Sequence, residues 1–250
     1  MKKILSKTGT LTVCVILLIA IITTIACWDE LGSLVRTGNY DSTDNMVETI
    51  MAKSATPGVA MVVSERGKTE YKNYGYADVN NQKRVTEESL FELGSTTKAF
   101  TALAVILLEN EGYLSLSDSI TDYIPSFEPT IMGEKVNITI HQLLAHTSGI
   151  PPWSIRLIPE GTTEDMLEKT IHNVSDIALD TYPGTACNYA TVNYDILAMI
   201  IEKVTGKRYQ DYMTENILVP LGMTDSYFST GQEKETDKLT KGYRVFLEKA

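Results

Sequence analysis

Cysteine is nearly absent, at three residues in 250. Cys14 falls inside an apolar N-terminal run and Cys27 at its edge, so the rest of the chain holds Cys187 alone and no internal disulfide can staple it. A domain of about 220 residues is long enough to form a core without one. Basic clusters are also missing. With 22 Lys and Arg against 32 Asp and Glu, the formal net charge is −10, which excludes nucleic acid as a partner because phosphate contacts require cations. The acidity reads as ordinary solubility. Histidine is scarce: a Ser-His-Asp triad can be written on paper from His141, His146 and His172, but no spacing supports it. There is no internal repeat and no low-complexity tract, and no residue pattern calls for a cofactor or a metal.

What is present begins with an address. Lys2, Lys3 and Lys7 precede an apolar run from Leu11 to Ala26, which turns acidic at Asp29 and Glu30. Residues 1–27 therefore read as a secretory signal or a membrane anchor, its core of sixteen residues lying between a cleaved signal and the ~20 of a comfortable span. Lysines before the run, with none just after it, place everything from Trp28 onward outside the cytoplasm by the positive-inside rule. Lipidation at Cys27 is a third fate, although Thr24 departs from the usual pattern. Residues 28–43 form a polar linker, and 44–250 the domain.

Within that domain, Asp44 to Lys53 has the period of an amphipathic helix, which Pro57-Gly58 ends. Val59 to Ser64 and Lys68 to Tyr76 read as a hairpin about a turn at Glu65-Arg66-Gly67. Beyond Gly112 the pattern is irregular or helical, closing with helices over Val192 to Val204 and Tyr209 to Leu218.

Ser95-Thr96-Thr97-Lys98 stands at the head of the apolar run Ala99 to Leu108. Serine and lysine three apart on a helix share a face, the arrangement a nucleophile and its proton acceptor need. The competing reading makes Ser95 a helix N-cap. A capping box would place Glu or Gln at the third helical position, whereas Lys98 stands there, where the helix dipole disfavours a cation. The run after it is apolar on nearly every face, so the helix should be buried and Lys98 poor in water; desolvation and the helix N-terminus would then lower its pKa. Tyr189, just before the apolar-periodic run Ile196, Leu197, Ile200, Ile201, is a packed aromatic or, beside a buried ammonium, a phenol that ionises readily.

These residues carry a resemblance. Leu90 to Ala102, containing Ser95 and Lys98, followed by Glu111-Gly112-Tyr113-Leu114-Ser115-Leu116, resembles the class C β-lactamase and penicillin-binding serine hydrolase family. Leu143 to Ile150 is similar to its internal His-Thr-Ser-Gly signature, and Tyr182-Pro183-Gly184 through Tyr189 to its tyrosine motif. The similarity covers about Pro57 to Tyr243, and three ordered motifs are far more specific than one.

The resemblance implies an α/β (α+β) fold with the antiparallel sheet of β-lactamases and transpeptidases beside a helical subdomain. It implies Ser95 as nucleophile, Lys98 as its activating partner, Tyr189 as the general base that returns a proton to the leaving group, and the Ser95 N–H as half of an oxyanion hole. It gives His146 a structural place. Two departures stand out. Tyr189-Ala190-Thr191 replaces the family's Tyr-Ser-Asn, setting Thr191 where a substrate-binding amide would be. The family's late His-x-Gly or Lys-Thr-Gly strand has no convincing copy, so the closing C-terminal strands are expected to be missing, with an unpaired sheet edge. Tyr71-Lys72-Asn73 repeats the short Tyr-x-Asn pattern but falls in the hairpin.

The implied activity is an exported serine hydrolase forming an acyl-enzyme on amide or ester substrates, with cell-wall D-alanyl peptides, β-lactams or small esters as candidates. A catalytically weak penicillin- or peptide-binding protein is the alternative, and a scaffold that merely retains the fold is a third. The expected partners are the small-molecule or cell-wall peptide substrate and the membrane through the N-terminal segment.

Overall fold

The computed structural model describes residues 40–161, 163–228 and 237–243. The expected signal or anchor, Cys27 and most of the linker lie outside the described residues. No helix among those described is long and apolar enough to cross a membrane. The chain divides into two units, one of residues up to Phe91 together with those from Asp237 onward, the other Glu92–Thr236.

The first unit starts with helix α1 (Thr43–Ser54), one residue earlier than the sequence pattern suggests, because Ser42 caps it by accepting from the Asn45 N–H at 3.1 Å. Strands β1 (Gly58–Glu65) and β2 (Lys68–Asp78) pair antiparallel from Gly58↔Gly75 to Glu65↔Lys68. Arg66 and Gly67 make the expected turn, both at positive φ (50° and 79°), the geometry whose twist matches that of the flanking strands. β3 (Lys83–Arg84) adds to β2 across a bulge at Tyr76 and Asp78. The order β1-β2-β3 leaves the outer side of β1 unpaired among the described residues. Asp44 fastens α1 to the hairpin through Lys72 (2.8 Å) and the Tyr74 hydroxyl (2.6 Å). The later segment returns to this unit: Leu90 exchanges backbone bonds with Lys238 and Thr240, and Lys241 pairs with Asp78 at 2.7 Å.

The second unit is mainly helical. A 3-10 turn (Gly94–Thr96) leads into α2 (Thr97–Asn110), followed by α3 (Ile120–Tyr123), the β4–β5 ribbon (Thr130–Ile131, Glu134–Lys135) and α4 (Ile140–Leu144). Ser119 with Asp122, and Thr139 with Gln142, form capping boxes that let such short helices persist. After a 3-10 stretch (Pro152–Leu157) come α5 (Met166–Asn173), α6 (Val192–Thr205) and α7 (Tyr209–Met213). Helix α6 is the axle: every residue from Ile196 to Ile201 is buried, and α2, α3, α4, α5 and α7 all pack on it.

Three expectations need correction. Helix α2 is not buried all round: Thr101, Ala104, Val105 and Leu108 face the core, while Leu103 and Ile106 stay 39% and 44% exposed, because the helices of its unit cover one side only. The helix expected over Tyr209 to Leu218 ends at Met213 and continues as a π turn (Thr214–Leu218), with the Val219 N–H reaching Thr214 O at 3.0 Å. A π turn aligns residues five apart, so Ile217 and Leu218 join Tyr212 and Met213 in the core. Lys98 is only half-buried, since it stands one residue into α2 at the open end of that helix.

The loop between α4 and the 3-10 stretch makes a close approach. Gly149 has φ 84°, its carbonyl accepts from the Asp180 N–H at 2.9 Å, and a Cβ there would lie 2.1 Å from the Thr181 carbonyl oxygen. Asp195 on α6 is an oddity of the opposite kind. Its Oδ2 is buried without a hydrogen-bond partner among the described residues, and burial pushes its carboxyl up to about 6, the Lys98 ammonium offsetting part of that.

Gly149→Ala is expected to lose roughly 2–4 kcal/mol, from left-handed strain together with the clash, read as a fall in the urea midpoint. Asp195→Asn is expected to stabilise. Between the ordinary carboxylate value near 3.9 and about 6, the folded protein holds a proton that the unfolded chain has released, so stability falls as pH rises through that window. The Asn variant should therefore gain about 1–2 kcal/mol at pH 8 and nothing at pH 4, measured by thermal unfolding at both.

Candidate active site

Ser95 sits in the 3-10 turn before α2, where Gly94 at φ 52° bends the chain into it. The capping reading fails on geometry. The α-helix begins at Thr97, its N-cap Thr96 makes no side-chain cap bond, and the Ser95 hydroxyl instead meets two other side chains. Tyr189 Oη lies 2.8 Å from Ser95 Oγ, and Lys98 Nζ donates to Oγ over a longer 3.4 Å. Ninety-four residues separate Ser95 from Tyr189 in sequence, and the packing of α2 on α6 brings them together.

Lys98 Nζ lies over two aromatic faces, 5.2 Å from the Tyr189 ring centre and 5.6 Å from that of Tyr194. The Tyr189 phenol is held below its ordinary pKa, first by the hydrogen bond to Ser95 and then by that to Lys98, whose charge adds to the effect; modest desolvation opposes it, and the Thr191 hydroxyl contributes last. The half-buried Tyr194 phenol is pushed the other way by desolvation and by the neighbouring Tyr189 charge, while its hydroxyl donates to Leu144 O at 3.2 Å. Two tyrosines five residues apart thus acquire opposite acid–base character. The one that ionises more readily touches the serine.

Thr191 occupies the entry to α6 with no cap bond of its own, half-buried beside Tyr189. Asn193, two residues on, does not supply the amide that the sequence lacks at this position. Asn193 is fully buried and turned inward, its Oδ1 accepting from Ser148 Oγ at 2.8 Å and its Nδ2 lying 3.0 Å from His146 Nδ1. His141 and His172 take no part here, and Tyr71-Lys72-Asn73 lies in β2 as expected. Cys187 is exposed, its thiol donating weakly to Ala145 O at 3.7 Å.

His146 is closer to the chemistry than its sequence signature suggests. Its ring centre is 4.5 Å from that of Tyr189 and 5.2 Å from that of Tyr194, and its pKa is lowered by burial first and by the Lys98 charge second. Asn193, Tyr194 and Asp195 were not singled out from sequence, although two polar residues within the otherwise apolar opening of α6 were a signal. Among the described residues, no group of three or more His, Cys, Asp or Glu side chains could hold a metal ion.

The arrangement can therefore do one kind of chemistry: a hydroxyl in contact with an acidified phenol, beside an ammonium, can lose its proton and attack an electrophilic carbon. The family model "Beta-lactamase" matches residues 43–244. Protein flp of Staphylococcus aureus (strain MRSA252) is 35% identical over 199 residues, covering 76% of this chain and 38% of that protein. Penicillin-binding protein 4* of Bacillus subtilis (strain 168) is 30% identical over 191 residues, covering 72% and 40%. The octameric penicillin-binding protein homologue from Pyrococcus abyssi superposes with a TM-score of 0.70 at 30% identity, over 87% of this chain and 48% of that one. A class C beta-lactamase does so at 0.66 and 27%, over 80% and 53%. The chain spans about two fifths of the length of these curated relatives. Its motifs, fold and sequence agree in one assignment: the chain belongs to the beta-lactamase family, whose beta-lactamases and penicillin-binding proteins are serine hydrolases.

Proposed function

We propose that this chain carries the acylating site of an exported serine hydrolase acting on amide or ester carbonyls. The observation that carries the reading is the contact of Ser95 Oγ with Tyr189 Oη at 2.8 Å, with Lys98 on the same oxygen at 3.4 Å. Ser95 Oγ attacks the carbonyl carbon while its proton passes to the Tyr189 phenolate. The tetrahedral oxyanion forms beside the Ser95 N–H, in the turn ahead of α2; the next N–H groups, of Thr96 and Thr97, already donate to the Leu93 and Gly94 carbonyls. Tyr189 then gives the proton to the departing amine or alcohol, leaving Ser95 acylated. Water, deprotonated by the same phenolate, hydrolyses the acyl-enzyme and restores the hydroxyl. Lys98, whose Nζ donates to the same serine oxygen, keeps the phenol ionisable.

The substrates we propose are cell-wall D-alanyl peptides, β-lactams and small esters. Support comes from relatives named for penicillin binding and from the lysine-flanked apolar N-terminus, which would put the domain outside the cytoplasm, anchored or released. Thr191, smaller than an amide and beside the phenol, would be the hydroxyl that meets the substrate.

A fluorescent penicillin and a fluorophosphonate should both label the protein, and Ser95→Ala should abolish labelling. Labelling that survives Ser95→Ala would remove the reading. A labelled protein that releases the adduct over hours without turning over a chromogenic ester would be a binder rather than a hydrolase. Tyr189→Phe should slow acylation by about 10²–10⁴-fold. The acylation rate should rise with pH toward a midpoint below the ordinary tyrosine value near 10, because the phenolate is the active form and its pKa is lowered. Lys98→Ala should move that midpoint upward. A profile independent of Lys98 would count against the lysine's part.

A further inference from the structure

Three contacts converge on the tyrosine from a single residue. The His146 carbonyl accepts from the Asn188 N–H at 2.8 Å, its Nδ1 accepts from the Ala190 N–H at 3.3 Å, and its ring faces the Tyr189 ring at 4.5 Å, tilted by 37°. The residues before and after Tyr189 are thus bonded to one histidine, which also packs on the side chain between them. Such a clamp needs the carbonyl and the imidazole of one residue to address the same strand of chain. His146 manages it in the left-handed region, at φ 55°, where histidine is among the few tolerated non-glycine residues.

The protons in this network are fixed from the backbone. The Ala190 N–H can only donate, so His146 Nδ1 must be an acceptor and the ring's proton resides on Nε2. Asn193 must then present its Nδ2 to Nδ1, and its Oδ1 takes the Ser148 hydroxyl proton, while Ser148 Oγ accepts from the Ile150 N–H at 3.1 Å. Every buried member has a partner of the right sense. An Nδ1–H would face two donors and break both bonds, which makes the neutral ring part of the construction.

We propose that His146 is the positioning residue for Tyr189, holding the phenol on Ser95 through its Nδ1 acceptor and its ring while touching no reacting atom. The proposal rests on the assignment of Tyr189 as the proton carrier. It gives the His-Thr-Ser-Gly segment a mechanical role: His146 grips the tyrosine, Ser148 orients Asn193, and Gly149 lets the loop approach residues 180 and 181.

Two substitutions separate the side chain from the backbone. His146→Gly keeps the carbonyl and tolerates φ 55°, but removes ring and acceptor. His146→Asn also tolerates the left-handed region and returns an acceptor oxygen near the position of Nδ1. Acylation by the fluorescent penicillin and the titration of Tyr189, assigned by Tyr189→Phe in a ¹³Cζ-tyrosine NMR spectrum, are read for both. The Gly variant should acylate roughly a hundredfold more slowly, as expected for a misplaced proton carrier, with the Tyr189 titration moved up toward the ordinary tyrosine value. The Asn variant should recover at least tenfold of that loss and return the titration toward wild type. Equal loss in both variants with an unmoved Tyr189 titration would mean a structural residue only and would overturn the proposal. The titration needs no turnover, so the two readings fail separately. A wild type that is not labelled at Ser95 while the Gly variant still shifts Tyr189 would end the hydrolase reading and support the clamp.

Discussion

Everything at this site depends on two helix beginnings meeting at one oxygen. Ser95 precedes α2 and Tyr189 precedes α6, and the 2.8 Å between their hydroxyls is set by the packing of those helices, which bury Ala104, Val105 and Leu108 on one and every residue from Ile196 to Ile201 on the other. Neither side chain is locked by its own neighbours in sequence; both are half or more exposed. Precision comes instead from the core beneath and from the loop of His146, which bonds the chain on either side of the phenol. A rigid, apolar axle thus supports a wet, polar contact, and the cost of holding polar groups together is carried by elements that do no chemistry.

The hairpin was legible because its signals are local. Glu65-Arg66-Gly67 between two alternating runs marks a turn, and the structure closes the hairpin there, with Glu65 already paired to Lys68. Helix α6 was legible for the same reason: its apolar positions recur at helical spacing and Gly206 closes it at φ 68°. The catalytic candidates were legible through a motif order that the family repeats, so Ser95, Lys98 and Tyr189 could be singled out together although no local rule says that they touch.

Other features were decided by packing, which leaves no local trace. The burial of Lys98 was overestimated because an apolar run states only that a helix has a partner, not how many of its faces are covered. The π turn at Thr214–Leu218 exists to bring two pairs of side chains to the same core, a choice invisible to a helical period. The place of His146 beside Tyr189 follows from a left-handed residue whose backbone and ring face the same neighbour. Asp195 escaped notice because a single carboxylate in an apolar helix looks like its solvent face until the helix is seen to have none there.

The outer side of β1 has a consequence for how such a chain behaves in solution. From Gly58 to Ser64 the strand carries no formal charge, Val62 is 58% exposed, and no other strand among the described residues pairs with its outer side. Shape alone does not keep such edges from adding to one another. The work falls to the net charge of −10, a long-range repulsion that dissolved salt shortens to about 8 Å at physiological strength. Were that edge open to a neighbour, association through it would depend on ionic strength, since salt shortens the repulsion that opposes it.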